Sequence, residues 1–232
     1  LNKAELHYSF HYPFPDYKLP SLVLNDKYVE TNQNAWVHLT SISSRDYHNL
    51  ITPHYELRFW EYAQRSGVLG SFANSFLIIA SPNKSATNDI APNDFAHFSG
   101  LNRKPVYRTQ TRKPNCASLV NKLPLYTIDK PVTNFLEQNT KTEKWIAGAP
   151  LSNLWIKQLE KKPFLETINS LSSTYFSYLQ SRFLDGKNIG LLVDLLPMNI
   201  IVDDSNNWTS FDHEWNYSLP TLDHKFIFFR GL

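Results

Sequence analysis

The feature that most constrains this chain is the stretch Asp194-Leu-Leu-Pro-Met-Asn199, followed by Phe211-Asp212-His213-Glu214-Trp215. Asp194 and Asn199 stand five positions apart. Between Asn199 and Asp212 run an apolar triplet (Ile200, Ile201, Val202), a polar turn from Asp203 to Asn207, and a second strand-like run from Trp208 to Phe211. Turn-forming Asp, Ser and Asn between two β-favouring segments predict a β-hairpin. Closing it brings its ends side by side, roughly 5 Å apart between Cα atoms. Asn199 is therefore expected to face Asp212 across the open end, with Asp194 just upstream. Two carboxylates and an amide oxygen converging there form a hard, oxygen-only donor set suited to Mg²⁺ with a bound polyphosphate.

This spacing resembles the catalytic and metal-binding loops of the protein-kinase-like fold. Such enzymes carry a catalytic-loop Asp, an Asn five residues later, a short hairpin and a second metal-binding Asp. Asp194, Asn199 and Asp212 match those positions, and Pro197 falls where many members have proline. The resemblance implies that Asp194 orients the acceptor hydroxyl as base, and that Asn199 and Asp212 hold Mg²⁺ on ATP. Two positions depart from the pattern. Val193 stands where kinases often have Arg, and His213-Glu214 replace the usual Phe-Gly flank. Asp-His-Glu-Trp is closer to the small-molecule and sugar kinase branches than to regulated protein kinases. A plain surface hairpin with acidic turn residues is the alternative.

Composition limits the partners. The 232 residues are 42% hydrophobic and 14% aromatic, enough to bury a core and to argue against disorder of the whole. Twenty-three basic and 21 acidic side chains leave a net charge of +2 with no basic block, so nucleic acid is not an expected partner. Cys116 is the single cysteine, which excludes an intramolecular disulfide and fits a reducing, cytosolic setting. No apolar run approaches the ~20 residues needed to span a bilayer. Both ends read as cut inside structured segments, so the expectation is a fragment of a longer protein.

Along the chain, Leu6, Tyr8, Phe10 and Tyr12 alternate with polar residues and predict a strand with one buried face, stopped at Pro13. His54 to Gly67 reads as a helix, and Phe72 to Ala80 as a strand covered on both faces. Ser81 to Asp94 is rich in Asn, Pro, Ser and Thr and is the expected linker. Strands are expected at 105–112 and 117–125. Lys122 near the end of the second is the candidate for the phosphate-binding lysine of a kinase-like small lobe, with Glu137 as its helix-borne ion-pair partner. A solvent-facing lysine is the plainer reading. Only 22 residues separate Lys122 from Trp145, and no Gly-rich loop precedes them, so the small lobe is abbreviated. Trp145 to Leu151 reads as a strand and hinge. Pro163 to Phe183 reads as a core helix with Phe164, Ile168, Leu171, Tyr175, Leu179 and Phe183 on one stripe, ended by Asp185-Gly186.

A second resemblance covers residues 1–80. Tyr12-Pro-Phe-Pro-Asp-Tyr-Lys18 and Phe72-Ala-Asn-Ser-Phe76, in a strand–excursion–helix–strand order, resemble the C-terminal end of a class I S-adenosylmethionine-dependent methyltransferase. The seven glycines form no G-x-G turn, so this piece is not expected to grip S-adenosylmethionine itself. In this order the two resemblances are similar to the bifunctional methyltransferase/kinase enzymes that cap bacterial O-antigen polysaccharides. The fold class expected is α+β or α/β: the C-terminal edge of a Rossmann-like methyltransferase sheet at 1–80, a linker at 81–94, and a C-terminally truncated, two-lobed kinase-like domain at 95–232. The resemblance implies γ-phosphoryl transfer from ATP to a sugar hydroxyl in surface lipopolysaccharide biosynthesis. It also implies S-adenosylmethionine as a cofactor of the intact parent only, and a polysaccharide or sugar acceptor. The expected location is the cytoplasm, peripheral to the inner membrane through a glycosyltransferase partner. The alternative from another class is a pseudoenzyme that docks glycosyltransferases and leaves the parent a methyltransferase alone.

Overall fold

The computed structural model of the chain describes residues 5–40, 53–86, 93–129, 135–161, 163–218 and 222–232, with side chains left out at 53–55 and 57. It divides into two units, Leu1–Ile128 and Asp129–Leu232. Both mix helices and strands, and the first is built on a large antiparallel sheet.

The first unit contains β1 (His7–Phe14), β2 (Leu22–Asn25), α1 (Asp26–Thr31), α2 (Pro53–Arg65), β3 (Leu77–Ser81), β4 (Asn93–Phe98), β5 (Thr109–Pro114) and β6 (Leu119–Pro124). Its strands lie in the order β3-β1-β2-β4-β5-β6, and each of these pairs is antiparallel. The expected linker does not divide it. Residues 87–92 lie outside the described residues, but β4 starts at Asn93 and is hydrogen-bonded between β2 and β5. The compact unit therefore runs on to Ile128.

Two expectations about the outer strands are corrected. β1 does not stop at Pro13. Ser21 donates its N–H to the Phe14 carbonyl, so the polar groups of Phe14 face β2 and those of Pro13 face the opposite side. On that side β3 pairs only as far as His11, so the missing proline N–H has no ladder bond to make. Nor is β1 buried on one face alone, because His11 to Phe14 are all buried. His11 is accommodated by its Nε2 contact to Ser9 Oγ at 3.0 Å, with Asn25 donating to that hydroxyl at 3.1 Å, and burial lowers its pKa. β3, expected to be covered on both faces, begins only at Leu77 and sits at the end of the strand order. Its Leu77 and Ile78 are 49% and 48% exposed. A continuous apolar run does not by itself say how many neighbours a strand has.

A β-bulge places a buried ion pair in this unit. Asn93 pairs with Pro114 and Phe95 with Lys113, so Asp94 is the extra residue on β4. A bulge breaks the alternation of faces, which lets Asp94 reach the same side as Lys113. The two form an ion pair, although Lys113 is only 6% exposed. The Lys113 ammonium also stands 6.0 Å from the centre of the Tyr28 ring.

The second unit opens with β7 (Leu136–Gln138), β8 (Thr142–Lys144) and β9 (Ala149–Pro150). Two helices follow, α3 (Leu151–Leu159) and α4 (Phe164–Leu184). After them come short 3-10 segments at Ile189–Asp194 and Pro197–Asn199, then β10 (Ile200–Val202), β11 (Trp208–Ser210), β12 (Trp215–Tyr217) and α5 (His224–Gly231). Its core gathers Leu151, Trp155, Tyr175, Leu179, Leu192, Val193, Leu195, Ile200, Val202 and Ile227. The apolar stripe of α4 is core in its C-terminal half, where Tyr175 and Leu179 are fully buried, while Phe164 at its start is exposed. The expected hinge narrows to β9, which pairs with β10 through Pro150–Ile201 and Ala149–Val202. Gly148, at a φ of 142°, is required there, because a Cβ would collide with the Val202 carbonyl oxygen. Among the described residues no helix is long and apolar enough to cross a membrane.

The buried pair yields a stability prediction. Asp94→Ala leaves Lys113 charged and buried and should cost about 3 kcal/mol, whereas Asp94→Ala with Lys113→Met should cost clearly less. Urea midpoints of the two variants check this, and equal losses would show that the charge pair is not what Asp94 contributes.

Candidate functional site

The hairpin expected between Asn199 and Asp212 is present. β10 and β11 pair as Ile200–Ser210, Ile201–Thr209 and Val202–Trp208. Its turn is tied by Asp203, whose Oδ1 accepts from the backbone N–H groups of Ser205 at 2.9 Å and Asn207 at 2.8 Å. Its Oδ2 takes the Asn207 amide at 3.0 Å. These bonds favour the ionised carboxylate and hold its pKa below the ordinary value.

This turn also fixes the register, and the register differs from expectation. Counting outward from Ile200–Ser210, Asn199 stands opposite Phe211, whose N–H donates to the Asn199 carbonyl at 3.0 Å. Asp212 lies one residue beyond the direct partner position. It adopts a left-handed φ of 58°, a conformation that non-glycine residues avoid and that ends the strand.

Asp194 is the last residue of the 189–194 turn and is 8% exposed. The backbone around it is held at three consecutive carbonyls. Arg230 on α5 donates to the Val193 carbonyl at 2.7 Å, Asn199 Nδ2 to the Asp194 carbonyl at 2.9 Å, and the Tyr175 hydroxyl on α4 to the Leu195 carbonyl at 2.7 Å. Arg230 thus brings a guanidinium to the Val193 backbone from 37 residues along the chain. The Asp194 carboxylate accepts the Trp215 backbone N–H through Oδ2 at 2.8 Å. Burial pushes its pKa up to about 6. The Trp215 bond opposes the rise, the negative charges of Asp212 and Glu214 add to it, and Arg230 opposes it.

The chain after Asp212 is anchored from β7 and β8. The Asp212 N–H donates to Glu143 Oε2 at 2.9 Å, and Gln138 donates its side-chain amide to the buried Glu214 carboxylate. The Asn139 N–H donates to the Glu214 carbonyl at 2.7 Å, and β7 pairs with β12 as Gln138–Trp215, Glu137–Asn216 and Leu136–Tyr217. His213 sets its Nδ1 3.2 Å from the Leu191 carbonyl and its Nε2 3.0 Å from Ser210 Oγ, and burial lowers its pKa.

The five expected site residues therefore separate. Asn199 is bonded to Asp194, and the charge of Asp212 is felt by Asp194. Lys122 lies half-buried on β6 of the first unit, opposite Thr111. Glu137 is not helix-borne. It stands exposed on β7, where backbone pairing with β12 has overridden the helical reading. Sequence reasoning missed four contributors. A phenol on the buried stripe of α4 needs a partner, so the Tyr175 bond had a signal. Arg230, Gln138 and Glu143 had none, because their partners lie 37, 76 and 69 residues away along the chain.

No group of three or more His, Cys, Asp or Glu side chains is arranged to hold a metal among the described residues. Asn199 and Asp212 carry an amide oxygen and a carboxylate, the kinds of oxygen donor that a hard divalent cation takes. Mg²⁺ is commonly held by one or two protein oxygens, with waters and substrate phosphates completing its octahedron. The Asn199 amide nitrogen is committed to the Asp194 carbonyl, so the oxygen is the end of that amide available to a cation.

The raised Asp194 pKa makes a prediction whose sign is fixed by linkage. Between about pH 4 and about pH 6 the unfolded chain has released this proton while the folded protein retains it, so the Asp194 contribution to stability falls as pH rises and is level above that window. Asp194→Asn removes the titration while keeping an oxygen for the Trp215 N–H. The stability of the variant relative to wild type should rise through this window and then stay constant, as read from melting temperatures against pH. A difference independent of pH would mean that Asp194 ionises like an exposed carboxylate.

No family model matches the sequence, and neither a search of curated proteins nor one of solved structures returned a match.

Proposed function

We propose that the hairpin-bearing unit performs phosphoryl transfer, moving the γ-phosphoryl group of ATP to a sugar hydroxyl. The observation that carries this reading is the closure of the hairpin onto Asp194. Asn199 is bonded to the backbone of Asp194, and the carboxylate of Asp194 is bonded to the chain three residues past Asp212. Asp194 and Asn199 are thus joined in space, and Asp212 stands on the segment that Trp215 ties back to Asp194.

In this reading Asp194 accepts the proton of the attacking hydroxyl. A pKa pushed up to about 6 leaves it mostly ionised at neutral pH yet a better base than an exposed carboxylate. Its backbone is held at three successive carbonyls, so little reorganisation is needed to keep the carboxylate aimed. Asn199 and Asp212 are the residues that hold Mg²⁺. The cation, when bound, neutralises phosphate charge in a transition state that has little covalent chemistry for the protein to perform.

The first unit enters through its edge. An antiparallel pair of strands, β1 and β3, ends the strand order there, and this pair is what supports likening it to the edge of a class I methyltransferase sheet. The remaining antiparallel strands of this unit have no counterpart in such a sheet. Within this reading S-adenosylmethionine serves a methylation of the phosphorylated sugar of a surface polysaccharide, in the cytoplasm beside a glycosyltransferase.

A second reading is favoured by one specific observation. Asp194 is buried and its Oδ2 is already engaged by the Trp215 N–H, which a structural lock also explains. The hairpin then belongs to a docking domain without catalysis.

Asp194→Asn and Asp212→Asn separate the two. If phosphoryl transfer holds, Asp194→Asn leaves Mg²⁺-ATP binding nearly intact and lowers single-turnover phosphorylation by about 10²–10⁴-fold. Asp212→Asn instead weakens the Mg²⁺-dependent part of nucleotide binding, because an anionic ligand on a hard cation is lost. Small and equal effects of both substitutions would hand the site to the docking reading.

A further inference from the structure

We infer that Glu143 is a positioning residue for Asp212, setting the direction of the carboxylate proposed to bind metal; the metal half of this inference rests on the phosphoryl-transfer reading. Glu143 sits at the centre of β8, and its Oε2 accepts the Asp212 backbone N–H at 2.9 Å across 69 residues of sequence. Its other carboxylate oxygen is 3.2 Å from the Lys141 ammonium, two residues away on the same segment. The carboxylate is thus held between a cation on its own segment and one amide on the facing loop.

That amide belongs to the residue whose backbone needs holding. At a φ of 58° a non-glycine residue occupies a sparsely populated region, and such a conformation persists only where its surroundings over-determine it. Downstream, Gln138, Asn139 and the β7–β12 pairing fix Glu214 and Trp215. Upstream, the Phe211 N–H is fixed to Asn199. Of the N–H groups at 211, 212, 214 and 215, only that of Asp212 is taken by an ionised side chain outside the hairpin and the catalytic loop. A charge-assisted bond at this point decides where the one left-handed residue of the loop points.

The test uses Glu143→Ala and Glu143→Gln in the full chain, with two measurements. The first is amide hydrogen exchange at Asp212, read by NMR. Loss of a hydrogen bond to a charged group should speed exchange there by about tenfold to a hundredfold in Glu143→Ala. Glu143→Gln, which keeps an acceptor oxygen on a side chain of the same length, should recover most of the protection. The second is Mg²⁺-dependent ATP turnover. Glu143→Ala should raise the Mg²⁺ concentration needed for half-maximal rate while leaving kcat at saturating Mg²⁺ close to wild type, and Glu143→Gln should restore it.

Unchanged Asp212 exchange in Glu143→Ala overturns the inference. So does faster exchange with no change in Mg²⁺ dependence, and so does a Glu143→Gln variant as impaired as Glu143→Ala, since a bond acceptor would then not be what matters. Should Glu143→Ala lose protection throughout the unit, the Gln variant alone decides, by whether its Asp212 amide stays protected. A wild-type protein that binds no Mg²⁺-ATP counts against phosphoryl transfer and removes the metal half of the inference. The exchange measurement then still decides whether Glu143 positions Asp212.

Discussion

Three side chains from three different places hold three successive carbonyl groups, and the candidate site depends on that clamp. Arg230, Asn199 and Tyr175 engage the carbonyls of Val193, Asp194 and Leu195. The segment is buried, and a buried carbonyl without a donor is costly, so each donor satisfies a demand that the fold itself creates. Tyr175 and Ile227 bring α4 and α5 into the same core that buries Leu192, Val193 and Leu195. Packing and polar satisfaction therefore act on one segment, and the position of Asp194 follows from both.

The cost of that arrangement appears in the carboxylate. Burial and the charges of Asp212 and Glu214 make ionised Asp194 less favourable than an exposed Asp, and only the Trp215 N–H and Arg230 offset them. A chain selected for stability alone has no need of acids so placed. Buried charge elsewhere is treated differently. Lys113 in the first unit is given a full counterion, Asp94, by a bulge that turns the carboxylate to its side. Lys113 thus meets its counterion directly, whereas Asp194 is met by a backbone N–H and by the charge of Arg230.

Local chemistry made much of this legible. The Asp203–Asn207 turn, the two short strands beside it and the α4 helix ended at Asp185-Gly186 all follow from residues that choose their conformation within a few positions. The nearness of Asp194 to Asn199 was readable too, though not that the amide nitrogen of Asn199 would take the Asp194 carbonyl. What failed were inferences needing a neighbour from far along the chain. Glu137 took the conformation that β12 imposes, β3 proved to be an edge strand despite its apolar run, and β4 joined the sheet that a polar segment was expected to end. A short segment has no strong preference of its own, and tertiary pairing decides its state.

The sequence by itself determined the hairpin, the residues at its mouth and the buried stripe of α4, because turn chemistry and hydrophobic period act between near neighbours. Only the tertiary structure decided that Asp212 is left-handed, and that Glu143, Gln138 and Arg230 hold the site from outside the hairpin. The reason is physical. Backbone donors and acceptors in a buried loop must be met by whatever polar group the rest of the fold delivers, and that delivery depends on contacts across the chain that no local pattern encodes.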